Sequence, residues 1–344
     1  MSTLGRAAQH EVQAINGNEA TGMRRLALLT SGGDAPGMNA TIRAVVRSAD
    51  AAGCSTVGIH NGYAGAIDGD LVELDARAVS GILHLGGTML GTARSEEFRT
   101  QEGRAKARAR LESAGVEALV VVGGDGSMRG ADLLSRESGI RVVGLPGTID
   151  NDLYGTDYTI GFDTAVNTAL ESIDRIRDTA ASHGRLFFVE VMGRHSGWIA
   201  LHSALAGGGT EVLVPERRTE IPTLRQRIER SFALGKKFCL VIVAEGDEAG
   251  GAYAVAEQVG ADLDVECRVV TLGHVQRGGP PSARDRLLAS VLGDAAVRLL
   301  LDGGNRMMVG ERCGQVVHTP MEETWTRHER APDSLLTLMD RLAR

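Results

Sequence analysis

The chain has 344 residues, enough at roughly 150 residues per domain for two domains with a full hydrophobic core and no staple. Its charge sums to 37 − 44 = −7, which argues against wrapping nucleic-acid phosphates, and no run of about 18 apolar residues is present to cross a membrane as a helix. The four cysteines stand far apart with no Cys-x-x-Cys pair, so disulfides and structural zinc are poor readings and a reduced cytoplasm is the expected compartment.

Residues 1–23 are polar and aperiodic, lack the apolar centre of a secretory signal, and are expected to form a mobile tail. From Arg25 a repeated grammar begins, in which a short apolar run ends in glycine and acid and a helical pattern follows. Arg25 to Thr30 lead into Ser31-Gly32-Gly33-Asp34, with Pro36 expected in the first turn of a helix that Gly53 stops. Leu119 to Val122 lead into Gly123-Gly124-Asp125-Gly126-Ser127 and a helix to about Glu137. Val142 to Leu145 lead into Pro146-Gly147-Thr148-Ile149-Asp150-Asn151-Asp152, and then a helix carries Phe162, Val166, Ala169, Leu170, Ile173 and Ile176 on one face. Leu186 to Val191 lead into Met192-Gly193-Arg194 and another helix, and Cys239 to Ala244 lead into Glu245-Gly246-Asp247. Val269 to Leu272 lead into Gly273-His274-Val275-Gln276-Arg277-Gly278-Gly279, before a helix from about Ser282 to Asp302. Continuous apolar runs mark strands buried on both faces, and their alternation with helices predicts an α/β fold with a mostly parallel sheet. Glycine, at 45 residues about twice its usual share, falls at the ends of these runs. No linker divides the chain, so the two domains share a compact boundary that the chain crosses more than once.

In an open parallel sheet, ligands bind beyond the carboxyl ends of the strands. Asp125, Asp150, Asp152, Arg194, Glu245, His274 and Arg277 all lie within a few residues after an apolar run. Turn chemistry accounts for the glycines and some of the acids, but not for arginines and a histidine among glycines. The turn over 32–37 and the loop over 123–127 offer backbone N–H groups to phosphates, and an acid in the second suits a magnesium ion bridging phosphates; a tight turn with a capping Asp is the plain alternative. Neither is a P-loop or a dinucleotide fingerprint. Two carboxylates at 150 and 152 supply a base for an alcohol and a ligand for a metal that offsets phosphoryl charge; a solvated acidic turn is the alternative. Arg94, Arg185, Arg194, Arg268 and Arg277 stand where guanidinium groups could pair with phosphate oxygens, or as surface ion pairs. Met192 reads as core, and His274 as either ligand or turn residue. His195 and the remaining histidines read as structural or solvated.

Taken together, and in this order, the motifs 31–39, 123–127, 146–152, 191–194 and 272–279 resemble the bacterial ATP-dependent 6-phosphofructokinase family (phosphofructokinase A) over about residues 24–325. The resemblance implies two Rossmann-like three-layer α/β/α domains with the active site in the cleft between them. A larger ATP-binding domain would comprise 24–160 plus 275–325, and a smaller fructose-6-phosphate domain 161–274 plus 326–344. It implies that Gly33, Arg94, Ser95, Gly124, Asp125, Gly126 and Ser127 contact ATP and that Asp125, with Asp152, holds Mg²⁺. Asp150 would be the base toward the sugar 1-hydroxyl, supported by Thr148, with Arg94 and Arg194 at the reacting centre. Thr148, Ile149, Met192, Gly193, Arg194, Glu245, Val275 and Gln276 would line the sugar site, and His274 and Arg277 would hold the 6-phosphate. Arg185 and Arg268 are similar to arginines lent by a neighbouring subunit, so a homotetramer built as a dimer of dimers is implied. Arg43, Arg47, Arg177 and Lys237 match the family's effector site, although Phe238 and Thr210 depart from it. Pyrophosphate-using members carry Asp in place of Gly126 and Lys in place of Gly147, which fill nucleotide space; the two glycines here therefore favour ATP. Kinases of NAD and of lipids share the Gly-Gly-Asp-Gly loop but lack the 150/152 pair, and an inactive sugar-phosphate sensor would be expected to lose Asp125 or Asp150.

Overall fold

A computed structural model describes residues 22–343 apart from 262 and 264. Its strands are β1 (Arg25–Thr30), β2 (Ser55–Ile59), β3 (Leu71–Leu74), β4 (Ala118–Gly123), β5 (Arg141–Thr148), β6 (Ile160–Gly161), β7 (Leu186–Val191), β8 (Glu211–Leu213), β9 (Cys239–Ala244), β10 (Cys267–Thr271), β11 (Met307–Arg312) and β12 (Gln315–Pro320). Among the described residues they form a larger sheet, ordered β12-β11-β5-β4-β1-β2-β3 with β6 on the end of β5, and a smaller one, ordered β10-β7-β9-β8. All pairings are parallel except β2 with β3 and β11 with β12, which close the two edges of the larger sheet as antiparallel ribbons.

The two-residue period of a strand explains why both sheets are covered on both faces. Leu26 and Leu28 of β1 enter the main core, where α1 (Met38–Ala51) and α9 (Ala283–Leu301) cover them; Ala27 and Leu29 enter a second core. That second core is closed by α2 (Gly62–Asp68), α3 (Gln101–Ser113) and α4 (Asp125–Ser138). In β9, Leu240, Ile242 and Ala244 face the main core with α5 (Phe162–His183) and α6 (Trp198–Ala206). Cys239, Val241 and Val243 face a third core under α7 (Ile221–Ala233) and α8 (Gly251–Gly260). The main core thus runs from one sheet to the other as packed apolar surface. Two further helices, α10 (Glu323–Thr326) and α11 (Asp333–Leu342), end the chain, α10 against α4 and α11 against α6 and β8.

Three expectations need correction, and a fourth falls almost wholly outside the described residues. The tail over 1–23 lies outside the described residues save its last two positions, and Met23 there is core, 6% exposed. Pro36 is not a first-turn residue: α1 starts at Met38 with Gly37 at its N-cap, φ 107°, so the Gly32-Gly33 turn stands clear of the helix start. Conversely, α4 starts at Asp125, so Gly126 and Ser127 belong to its first turn rather than to a loop. The run over 269–272 is not buried on both faces, because β10 is an edge strand with only β7 beside it.

Candidate active site

An open cleft of about 860 Å³ lies past the carboxyl ends of β1, β4 and β5 and reaches the turn after β7. Every residue expected at the phosphoryl donor lines it: Gly33, Arg94, Ser95, Gly124, Asp125, Gly126 and Ser127. Thr148, Asp150, Asp152, Arg194 and Arg277 line it from the acceptor side. The rule that open sheets bind ligands at their carboxyl ends accounts for this convergence.

Asp150 is 3% exposed, and its Oδ1 is buried with no hydrogen-bond partner among the described residues. Its Oδ2 lies 3.6 Å from Nε of Arg194. Burial pushes this carboxyl above the usual range, while the charges of Arg277 and Arg194 pull it back and those of Glu245 and Asp125 add to the rise. Burial also pushes Asp152 up to about 6, with the charges of Asp150 and Asp125 adding to it. Between them Asn151 takes a left-handed conformation, φ 51°, that its own side chain secures: Oδ1 accepts from the Thr159 N–H at 2.7 Å and Nδ2 donates to the Asp157 carbonyl at 3.1 Å. An asparagine tolerates that conformation where most residues resist it. The short loop therefore turns back on itself and leaves both carboxylates in the cleft wall.

Arg277 is mostly buried and donates to the Asp34 carbonyl at 3.1 Å. A Cβ on Gly33 would stand 2.7 Å from its guanidinium nitrogen, so the glycine at 33 is where Arg277 crosses the first turn. Gly193 and Arg194 donate their N–H groups to one oxygen of Glu245, at 3.3 and 2.8 Å, which ties the β7 turn to the end of β9. Tyr63 stacks on Phe98 with ring centroids 3.9 Å apart, and its hydroxyl donates to the Ser127 carbonyl at 2.5 Å, forming an apolar wall beyond Asp125.

Several expected residues lie elsewhere. Ile149 and Met192 turn their side chains into the main core, as the plain reading of Met192 expects, so only their backbone groups face the site. Gln276 is buried, its Nε2 donating to the Gly273 carbonyl at 3.2 Å, while His274 and Val275 on the same short helical turn are exposed. Arg185 and Arg268 both pair with Glu266, one on each carboxylate oxygen, where β7 and β10 of the smaller sheet begin, away from the cleft. Arg43 and Arg47 stand on α1, whereas Arg177 stands on α5 and Lys237 just before β9. His195, read as structural or solvated, lines the cleft beside Arg194; its position directly after a strand-end arginine was the signal. Space at the two donor-choice glycines differs. A Cβ at Gly126 meets nothing within 4 Å, whereas one at Gly147 would stand 2.7 Å from Val122, so Gly147 is required by strand packing as well.

The model of the family described as Phosphofructokinase matches residues 25–300. The ATP-dependent 6-phosphofructokinase 1 of Thermus thermophilus is 57% identical over 321 residues, covering 93% of this chain and 100% of its own. The ATP-dependent 6-phosphofructokinase of Cytophaga hutchinsonii is 49% identical over 321 residues, 93% of this chain and 98% of its own. Among solved structures, phosphofructokinase from Saccharomyces cerevisiae superposes with a TM-score of 0.84 at 37% identity over 93% of this chain, which spans 47% of the yeast chain.

Proposed function

The chain belongs to the phosphofructokinase family, and we propose that it transfers the γ-phosphoryl group of ATP to the 1-hydroxyl of fructose 6-phosphate, giving fructose 1,6-bisphosphate and ADP. The observation that carries the reading is Asp150: a buried carboxylate, one oxygen against Arg194 and the other without a hydrogen-bond partner among the described residues, facing a cleft between two glycine turns. An orphaned buried acceptor is costly unless a ligand completes it, and an alcohol proton does so.

In this reading Oδ1 of Asp150 accepts the proton as the hydroxyl oxygen attacks the γ-phosphorus. Burial makes the carboxylate a stronger base, and the charges of Arg277 and Arg194 oppose that rise. Thr148 steadies the loop, its hydroxyl accepting from the Asp150 N–H at 3.2 Å. Glu245 holds the Gly193-Arg194 turn that shapes the sugar site, and Arg277 with His274 takes the 6-phosphate. Gly33, Gly124 and the first turn of α4 receive the donor phosphates, with Arg94 and Ser95 across the cleft. Asp125, an exposed carboxylate at the start of α4, and Asp152 are hard oxygen donors of the kind that would hold Mg²⁺. When bound, that ion offsets the charge on the transferring group. The open space at Gly126 favours a nucleotide donor over pyrophosphate. We further propose a cytoplasmic homotetramer in which Arg185 and Arg268 serve a neighbour's sugar phosphate, and an effector site at Arg43, Arg47, Arg177 and Lys237.

The test is a coupled assay with fructose 6-phosphate and Mg²⁺, comparing ATP, pyrophosphate and no donor. Turnover is expected with ATP alone. Asp150→Asn should lower kcat by on the order of a hundredfold or more while KM for the sugar changes little. Wild-type turnover by that variant would remove Asp150 as the base, and turnover with pyrophosphate in place of ATP would overturn the donor assignment.

A further inference from the structure

Ser196 belongs to none of the motifs that mark the site, yet it joins the two sheets at the reacting carboxylate. Its side chain is buried, and its hydroxyl donates to the Asp150 carbonyl at 2.8 Å. The same hydroxyl accepts from the Trp198 N–H at 3.4 Å, at the start of α6. Asp150 follows β5 of the larger sheet and Ser196 follows β7 of the smaller one, so this single bond spans the boundary between them.

The turn that carries Ser196 has little freedom of its own. Its N–H donates to the Gly193 carbonyl at 2.9 Å, and Gly193 and Arg194 both hold positive φ, 140° and 52°. On the far side Glu245 takes both of their N–H groups, and Gly246 lies so close that a Cβ there would stand 1.6 Å from the Arg194 carbonyl oxygen. Gly197 is held in turn by Glu216, whose Oε1 accepts its N–H at 3.0 Å. The turn is thus fixed to the smaller sheet, and two contacts tie it to the Asp150 loop: the Ser196 bond and the Arg194 ion pair. The arginine is the looser of the two, since its side chain is 47% exposed and the ion pair spans 3.6 Å. An exposed arginine samples several rotamers, whereas a buried hydroxyl bonded to a carbonyl does not.

We propose that Ser196 is a positioning residue for phosphoryl transfer, its hydroxyl holding the Asp150 loop against the Arg194 turn so that the carboxylate meets the acceptor hydroxyl. The role acts through Asp150 and rests on the reading of that residue as the base. Misplacing a reacting group by a fraction of an ångström lowers the rate of the chemical step and leaves the binding groups where they were.

Steady-state kinetics of Ser196→Ala and Ser196→Thr, with fructose 6-phosphate and ATP, test it. The alanine variant should lose about tenfold in kcat, keep both KM values within about twofold, and unfold within a few degrees of wild type. The threonine variant, which keeps the hydroxyl, should recover to within about threefold. In an Arg194→Met background, Ser196→Ala should cost less than about twofold more, because both changes act on one carboxylate. A wild-type kcat in Ser196→Ala overturns the inference, as does a loss of the same size in the Arg194→Met background. An equal loss in a folded threonine variant also overturns it; if that variant does not fold, the Arg194 background decides. A wild-type chain without turnover would overturn the functional reading, and this inference with it.

Discussion

Asp152 shows what it costs to bury an acid beside other acids. Its carboxyl is pushed up to about 6 first by burial and then by the charges of Asp150 and Asp125, so the folded chain holds a proton there that the unfolded chain releases near pH 4. Stability from this group is complete below pH 4 and is lost as pH rises through 6. Two pH units correspond to roughly 3 kcal/mol, an upper figure for a partly buried side chain. Asp152→Asn should therefore stabilise the chain at pH 8 by about 1–3 kcal/mol in EDTA-containing buffer, with no gain at pH 4; urea midpoints at the two pH values measure it, and equal midpoints at pH 8 would refute it. Such pairs were legible in the sequence because polar residues directly after apolar runs have few structural reasons to be there. Asp125, Asp150, Asp152, Arg194 and Arg277 all reach the cleft on that logic. Ser196 and the Tyr63–Phe98 wall were not legible, since a serine in a glycine turn and aromatics on separate segments carry no local pattern.

Helix starts do much of the assembling between elements, and the clearest case is Asp285. It sits in the first turn of α9, is 1% exposed, and accepts from the N–H groups of Gly161 and Thr164 at 2.9 and 2.8 Å and from the Thr164 hydroxyl. It thereby caps α5, a helix that lacks a side-chain cap of its own, while Ser282 caps α9 and donates to Asp163 of α5 at 2.6 Å. Two helix starts interlock, each satisfying amides the other leaves open. Burial pushes the Asp285 carboxyl up, and its hydrogen bonds oppose the rise. Asp285→Ala leaves those buried donors unpaired and should destabilise the chain by about 3 kcal/mol, with Asp285→Asn in between; a chemical-denaturation shift under about 1 kcal/mol would contradict the capping role. At this scale the apolar runs announced β1, β4, β7 and β9 within a residue, since buried strands need continuous hydrophobicity, whereas β5 runs three residues past its apolar run, through Pro146 and Gly147 to Thr148. The α3 helix escaped notice because its inward face is Gly103, Arg104, Ala107 and Leu111, with Arg104 neutralised by Glu137 at 2.8 Å. The β11–β12 hairpin escaped likewise, its outer strand being largely exposed.

For the whole molecule, the arrangement of Arg185 and Arg268 leads to a complementation experiment. Both lie on the smaller sheet, paired to Glu266 and outside the cleft of their own chain. If they serve a neighbour, Arg185→Ser and Asp150→Asn variants, each impaired alone, should regain activity when refolded together. Random assortment pairs an intact base with an intact arginine at about a quarter of the sites. Mixed oligomers that form yet stay inactive would show that the arginines act elsewhere. A mostly parallel α/β sheet was legible from the alternation of runs and helices, and its division into two from chain length and the resemblance, but the edges were not: β3 and β12 are short or half-polar strands whose pairing only the assembled sheet defines. The order of the larger sheet also fixes a birth sequence. Its β5 flank waits for β11, whereas the strands of the smaller sheet all fall in the unbroken stretch from Leu186 to Thr271. On the ribosome, the nascent chain must therefore finish translating the inner insertion while β5 still presents an open side. A premature stop after Thr271 would leave the smaller sheet with all its strands but without Arg277 and α11, and the larger sheet with a sticky, unsealed margin.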